Sequence, residues 1–153
     1  MRICIGGTFN ILHKGHKLVI DKAFELAGIN GSVFIGITTG ENLIGKKDVK
    51  PMIKRKRSIK QYLSKKGFIN RATIEPIEDK FGPSVEEEFD AIIVSPETLN
   101  TAKEINKKRK RLNKKQLKII QIPFVLAEDN IPISSTRIKK KEIDEHGNIL
   151  KRD

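Results

Sequence analysis

Five short apolar runs, with stretches of helical spacing between them, constrain this chain more than any other feature. Ile3-Cys4-Ile5, Val33–Thr38, Ala72–Ile77, Ala91–Val94 and Leu117–Ile122 read as strands, the second apolar enough to be buried on both faces, with Gly36 inside it suggesting a close backbone approach. Between them, Leu18, Val19, Ala23, Phe24 and Leu26 recur near helical spacing, with Gly28 placed to end that helix. A second helical pattern carries Ile53, Ile59, Tyr62 and Leu63 and stops at Gly67. Ser84-Val85-Glu86-Glu87 has the spacing of a capping box and predicts a brief helix. Ser95-Pro96 predicts an N-cap followed by Pro at the first helical position, for a helix to about Leu112. Ser134 or Ser135 caps a last helix. Strands alternating with helices pair in parallel through right-handed crossovers. The expectation is α/β: a Rossmann-like open parallel five-stranded sheet, helices on both faces, and a ligand crevice outside the carboxyl ends of the strands. The 153 residues read as one domain without linker or repeat.

The loop after the first strand carries the chemistry. Gly6-Gly7-Thr8-Phe9-Asn10-Ile11-Leu12-His13-Lys14-Gly15-His16 runs from the strand into the helix. Glycines allow close approach of a ligand to backbone, and free N–H groups with the positive end of a helix dipole favour an anion. His13 and His16, three apart, project to one side of the first turn, where imidazoles can donate to phosphoryl oxygens whether neutral or charged. No Cys pair or third His lies nearby to complete a metal site, so no metal ligands are expected. The run lacks both G-x-G-x-x-G and the Lys-Ser/Thr ending of a phosphate loop, so spacing alone leaves ordinary surface histidines open as a reading.

A net charge of +12, from 31 Lys and Arg against 19 Asp and Glu, suits anionic ligands and invites a nucleic-acid reading. Aromatic residues are only 5% and Trp is absent, so stacking platforms for bases are scarce and a basic RNA-binding module is the weaker alternative. The single cysteine, Cys4, lies in the first apolar run and suits a reducing compartment. With no signal-like or membrane-length apolar segment, the cytoplasm is the expected location.

Thr8-Phe9 followed by His13-Lys14-Gly15-His16 resembles the H-x-G-H signature of the cytidylyltransferase-like nucleotidyltransferases, and Ile133-Ser134-Ser135-Thr136-Arg137 resembles their second signature. Ile77–Pro83, Val94–Thr98 and Ala127-Glu128-Asp129 resemble the archaeal type of phosphopantetheine adenylyltransferase, a likeness that runs through nearly the whole chain. The resemblance implies adenylyl transfer from ATP, with Mg²⁺, to 4′-phosphopantetheine, the alternative being adenylyl or cytidylyl transfer to another phosphate acceptor such as nicotinamide mononucleotide, flavin mononucleotide or glycerol phosphate. It implies that His16 contacts the α-phosphate, that His13 holds the triphosphate, and that Gly7, Thr8, Phe9 and Gly15 complete the ATP contacts around them. Ser134, Ser135, Thr136 and Arg137 fall to the β- and γ-phosphates, Lys46 or Lys47 to the α-phosphate or the acceptor phosphate, and Thr8, Ser95 and Thr98 to the substrate. Asn10 stands where many relatives of this kind carry Asp, which puts any charge role there in doubt.

Overall fold

A computed structural model describes residues 1–40 and 48–150 of the chain. The elements in order are β1 (Arg2–Gly7), α1 (Lys14–Ala27), β2 (Ser32–Thr38), α2 (Met52–Lys66), β3 (Ala72–Ile77), β4 (Ala91–Val94), α3 (Leu99–Arg111), β5 (Lys118–Gln121) and α4 (Ser135–Lys139). The strands form one sheet in the order β3-β2-β1-β4-β5, with every pairing parallel. Chain direction across the sheet reverses between β1 and β4, which makes the carboxyl ends of those two strands the crevice of a doubly wound fold.

Alternation along the strands divides the core into two layers. Ile3, Ile5, Val33, Ile35, Ile37 and Ile93 pack with Ile20, Ala23 and Phe24 of α1 and Ile59 and Leu63 of α2. Cys4, Phe34, Ile92 and Val94 face the other way, against Ala102 and Ile105 of α3. Side chains as fully buried as Ile20 and Phe24 contribute about 1.5–3 kcal/mol each. At the foot of α1, Gly28 takes φ +81° and its N–H reaches the Phe24 carbonyl. A Cβ on Gly31 would stand 2.0 Å from the Ala27 carbonyl oxygen, so the turn into β2 closes only around glycine. No helix among the described residues is long and apolar enough to cross a membrane.

Three local expectations give way. Ser84 ends a 3₁₀ turn, Gly82–Ser84, and no α-helix follows, because Arg109 takes the carbonyls of Ser84, Val85 and Glu87 that a helix would need. The third helix starts at Leu99, four residues after Ser95. Ser95 and Pro96 instead open a β-turn in which the Thr98 N–H reaches the Ser95 carbonyl at 3.1 Å, and the Ser95 N–H donates to the Thr98 hydroxyl at 3.1 Å. Gly36 makes room for the Ile77 side chain, 3.0 Å from where its Cβ would lie, and not for backbone. The final segment forms a short antiparallel bridge, Ile143 to Ile149, with Ile143 buried beside Ala127 and Ile133.

Candidate active site

The first motif turns sharply where β1 ends. Phe9 sits at φ +50°, an unusual conformation for a residue with a Cβ, and is held there by burial against Gly7 and the His16 ring, 5.1 Å away between centroids. Helix α1 then begins with a reciprocal pair: the His13 side chain caps the backbone of the first turn, and the His16 side chain accepts from the His13 N–H. Nδ1 of His13 accepts from the Gly15 N–H at 3.0 Å, and Nδ1 of His16 accepts at 3.3 Å, so each neutral ring carries its proton on Nε2. The two rings stack with centroids 3.8 Å apart at 20°. A Cβ on Gly15 would lie 2.9 Å from the His13 ring, so the glycine makes room for that histidine.

This arrangement alters one expectation about the helix start. The Lys14 N–H donates to the Glu145 carbonyl at 3.0 Å and the Gly15 N–H to His13, so these groups of the first turn are engaged within the protein. What the turn offers an anion is its dipole and the imidazole Nε2–H groups. Burial pushes the His13 imidazole down to about 4, and burial followed by the neighbouring His13 pushes His16 down to about 3. Both rings are therefore neutral donors near pH 7.

The second motif is tied directly to the first. Ser134 caps α4 by accepting from the Arg137 N–H at 3.2 Å. The Ser135 hydroxyl accepts from the Ile11 N–H at 3.3 Å and donates to the Ile11 carbonyl at 3.4 Å. Thr136 is exposed. The Arg137 guanidinium pairs with Asp129, lies 3.9 Å from Glu142, and donates to the Ile131 and Pro132 carbonyls. It thereby braces the 129–142 segment that carries the motif. Gly7 and Thr8 lie at the end of β1, where the Thr8 hydroxyl meets that of Thr38 at 3.1 Å. Lys46 and Lys47 lie outside the described residues.

Two residues here have roles that the sequence did not assign to them, Asn10 and Arg55. Asn10, 9% exposed, accepts from the Lys50 N–H at 2.7 Å and donates to the Asp48 carbonyl at 3.3 Å, a task a neutral amide performs and a carboxylate cannot complete. Arg55, 2% exposed, donates to the carbonyls of Lys50 (2.7 Å), Thr8 (3.0 Å) and Thr38 (2.8 Å). Burial lowers its affinity for its proton, and among the described residues no carboxylate pairs with it. The signal was present: Arg55 lies one turn before Ile59 and two before Leu63, on the stripe α2 buries. On the α3 side of the strand ends, a cavity of about 110 Å³ opens, lined by Gly6, Gly7, Thr38 and Thr98 with apolar Phe34, Ile92 and Ile105.

A parallel sheet with a paired-histidine turn at its switch point, joined to a serine-capped second motif, defines a nucleotidyltransferase architecture. Residues 4–141 match the model of the cytidylyltransferase-like family, and the chain belongs to that family. Its relatives within the family are narrower in kind. It is 45% identical to the phosphopantetheine adenylyltransferase of Methanosarcina mazei over 151 residues, 98% of this chain and 97% of that one. It is 39% identical to the phosphopantetheine adenylyltransferase of Archaeoglobus fulgidus over 152 residues, 98% of this chain and all of that one. Among solved structures it is similar to a protein of unknown function from Archaeoglobus fulgidus, with a TM-score of 0.71 and 34% identity over 80% of this chain and 89% of that one.

Proposed function

We infer that this chain transfers the adenylyl group of ATP to the phosphate of 4′-phosphopantetheine, giving dephospho-coenzyme A and pyrophosphate. The observation that carries this reading is the 45% identity to a phosphopantetheine adenylyltransferase over 98% of the chain. The stacked histidines at the sheet's switch point support it independently.

The chemistry needs positioning more than activation. An oxygen of the acceptor phosphate attacks the α-phosphorus, and the bond from that phosphorus to the bridging oxygen of the β-phosphate breaks, releasing pyrophosphate. The acceptor is already an anion, so no general base and no covalent enzyme intermediate are required. Neutral Nε2–H of His16 donates to the α-phosphate as charge builds there, and His13 beside it donates to the triphosphate. Thr8 and the backbone of Gly7 and Phe9 line the approach, and Gly15 keeps the His13 ring in place. Lys46 or Lys47 supplies cationic charge to the α-phosphate or the acceptor, while Ser134, Ser135 and Thr136 serve the β- and γ-phosphates, with Arg137 bracing them through Asp129. The cavity lined by Thr98, which the Ser95 N–H holds through its hydroxyl, is the place for the arm of the acceptor. The donors at this mouth are imidazoles, hydroxyls and amides, and no metal-holding cluster occurs among the described residues. Mg²⁺ would come with ATP and would offset charge on the leaving group. A reducing cytoplasm suits the buried lone Cys4.

Pyrophosphate release from Mg-ATP, measured with and without 4′-phosphopantetheine for the wild type and His16→Ala, tests the reading. Acceptor-dependent turnover that collapses in the variant supports it. Turnover with nicotinamide mononucleotide or glycerol phosphate but not 4′-phosphopantetheine overturns the acceptor.

A further inference from the structure

We propose that Arg55 is a positioning residue for adenylyl transfer, holding the Thr8–Phe9 peptide so that its N–H is presented to the nucleotide. The proposal rests on the adenylyl-transfer reading above. Arg55 belongs to α2, yet its side chain joins three other places in the chain. Nη1 bridges the carbonyls of Thr8, just past β1, and Thr38, at the end of β2, while Nε holds the Lys50 carbonyl. Those contacts converge where the sheet presents its carboxyl ends.

The consequence follows from peptide geometry. In a trans peptide the carbonyl and the next N–H point to opposite sides. With the Thr8 carbonyl drawn toward the guanidinium, the Phe9 N–H faces the other way. Phe9 itself sits at φ +50°, which needs continuous restraint from its surroundings. Asn10 adds a second tie across the same gap, through the Asp48 carbonyl and the Lys50 N–H. The strained turn is thus clamped to the 48–50 segment on both sides of Phe9. A lysine could place one charge there but could not serve three carbonyls from a planar fork.

Kinetics of Arg55→Ala and Arg55→Lys, beside Arg109→Ala as a buried-arginine control, test the role. Because displacement of a reacting group by about 1 Å can cost about 100-fold, both Arg55 variants should lose about 100-fold in kcat below their melting temperatures. Arg109→Ala should keep the wild-type kcat. Millimolar guanidinium should restore part of the kcat of Arg55→Ala and none should be needed for Arg109→Ala. A kcat for Arg55→Lys close to wild type overturns the proposal, as does a loss that merely follows melting temperature in all three variants. Should Arg55→Ala fail to fold, Arg55→Lys decides alone. Absence of pyrophosphate from the wild type would overturn the reaction reading instead. The shift of the Phe9 amide on adding Mg-ATP, read by ¹⁵N spectra, would then judge Arg55 separately: its loss in Arg55→Lys upholds the placement, and an unchanged shift overturns it.

Discussion

Arg55 and Arg109 solve the same problem at opposite ends of the sheet. Both are buried, at 2% and 1% exposure, and both give their hydrogen bonds to backbone carbonyls. Arg109 collects Ser84, Val85, Glu87 and Lys115, in the segments that lead into β4 and β5. Arg55 collects Thr8 and Thr38, where β1 and β2 give out. Helices in βαβ units run back against the strands, so a cation late in α3 reaches the amino edge of the sheet and one early in α2 reaches the carboxyl edge. Ligands bind at the carboxyl edge. The same guanidinium chemistry therefore anchors loops at one edge and shapes a reaction site at the other.

The sharpest way to separate the two edges is to remove a donor from the mouth. His16→Ala should lower kcat by about 10²–10³, read as pyrophosphate release, and a smaller loss would weaken its assignment to the α-phosphate. At the other edge, Arg109→Met strands several buried carbonyls and should lower unfolding free energy by about 2–4 kcal/mol in urea titrations, with kcat unchanged. Acid comes next. The folded histidines, at about 4 and 3, take up protons later than an ordinary imidazole at 6.5. Below pH 6.5 the unfolded chain binds protons that the folded chain does not, so stability is lost as pH falls, by about 1–2 kcal/mol per ring at pH 5. The double variant His13→Asn, His16→Asn should flatten that slope, and an unchanged slope would place the titration elsewhere. The smallest effect belongs to Asn10→Asp, which forfeits the bond to the Asp48 carbonyl and should cost about 1 kcal/mol.

The sheet was legible because its strands are short, apolar and separated by helical periods; β3 and β4 coincide with the predicted runs. Both ends of the first helix were legible too, its start through His13 and its close through Gly28. What escaped reading was where polar groups send their hydrogen bonds. Ser84 looks like a cap, yet Arg109, 25 positions away, takes its carbonyl. Ser95-Pro96 fits a helix start and a β-turn equally well, and the Thr98 hydroxyl decides for the turn. Gly15, between the two histidines, was expected among the ATP contacts, whereas the nearest neighbour of a Cβ there is the His13 ring. Arg55 and Arg109 could have been noticed as charges on helix stripes otherwise reserved for buried residues.

The ties between the two motifs also set an order of events during synthesis. All five strands have left the ribosome once Gln121 has emerged, and the central sheet can assemble from that point. The first-motif turn, made from residues near the beginning of the chain, still lacks Ser135 against Ile11 and the Glu145 carbonyl on Lys14. Its completion waits on residues 135 and 145, which follow the last strand in the chain. A chain cut short before Glu145 can therefore assemble the central sheet while its nucleotide mouth still lacks the tie at Lys14.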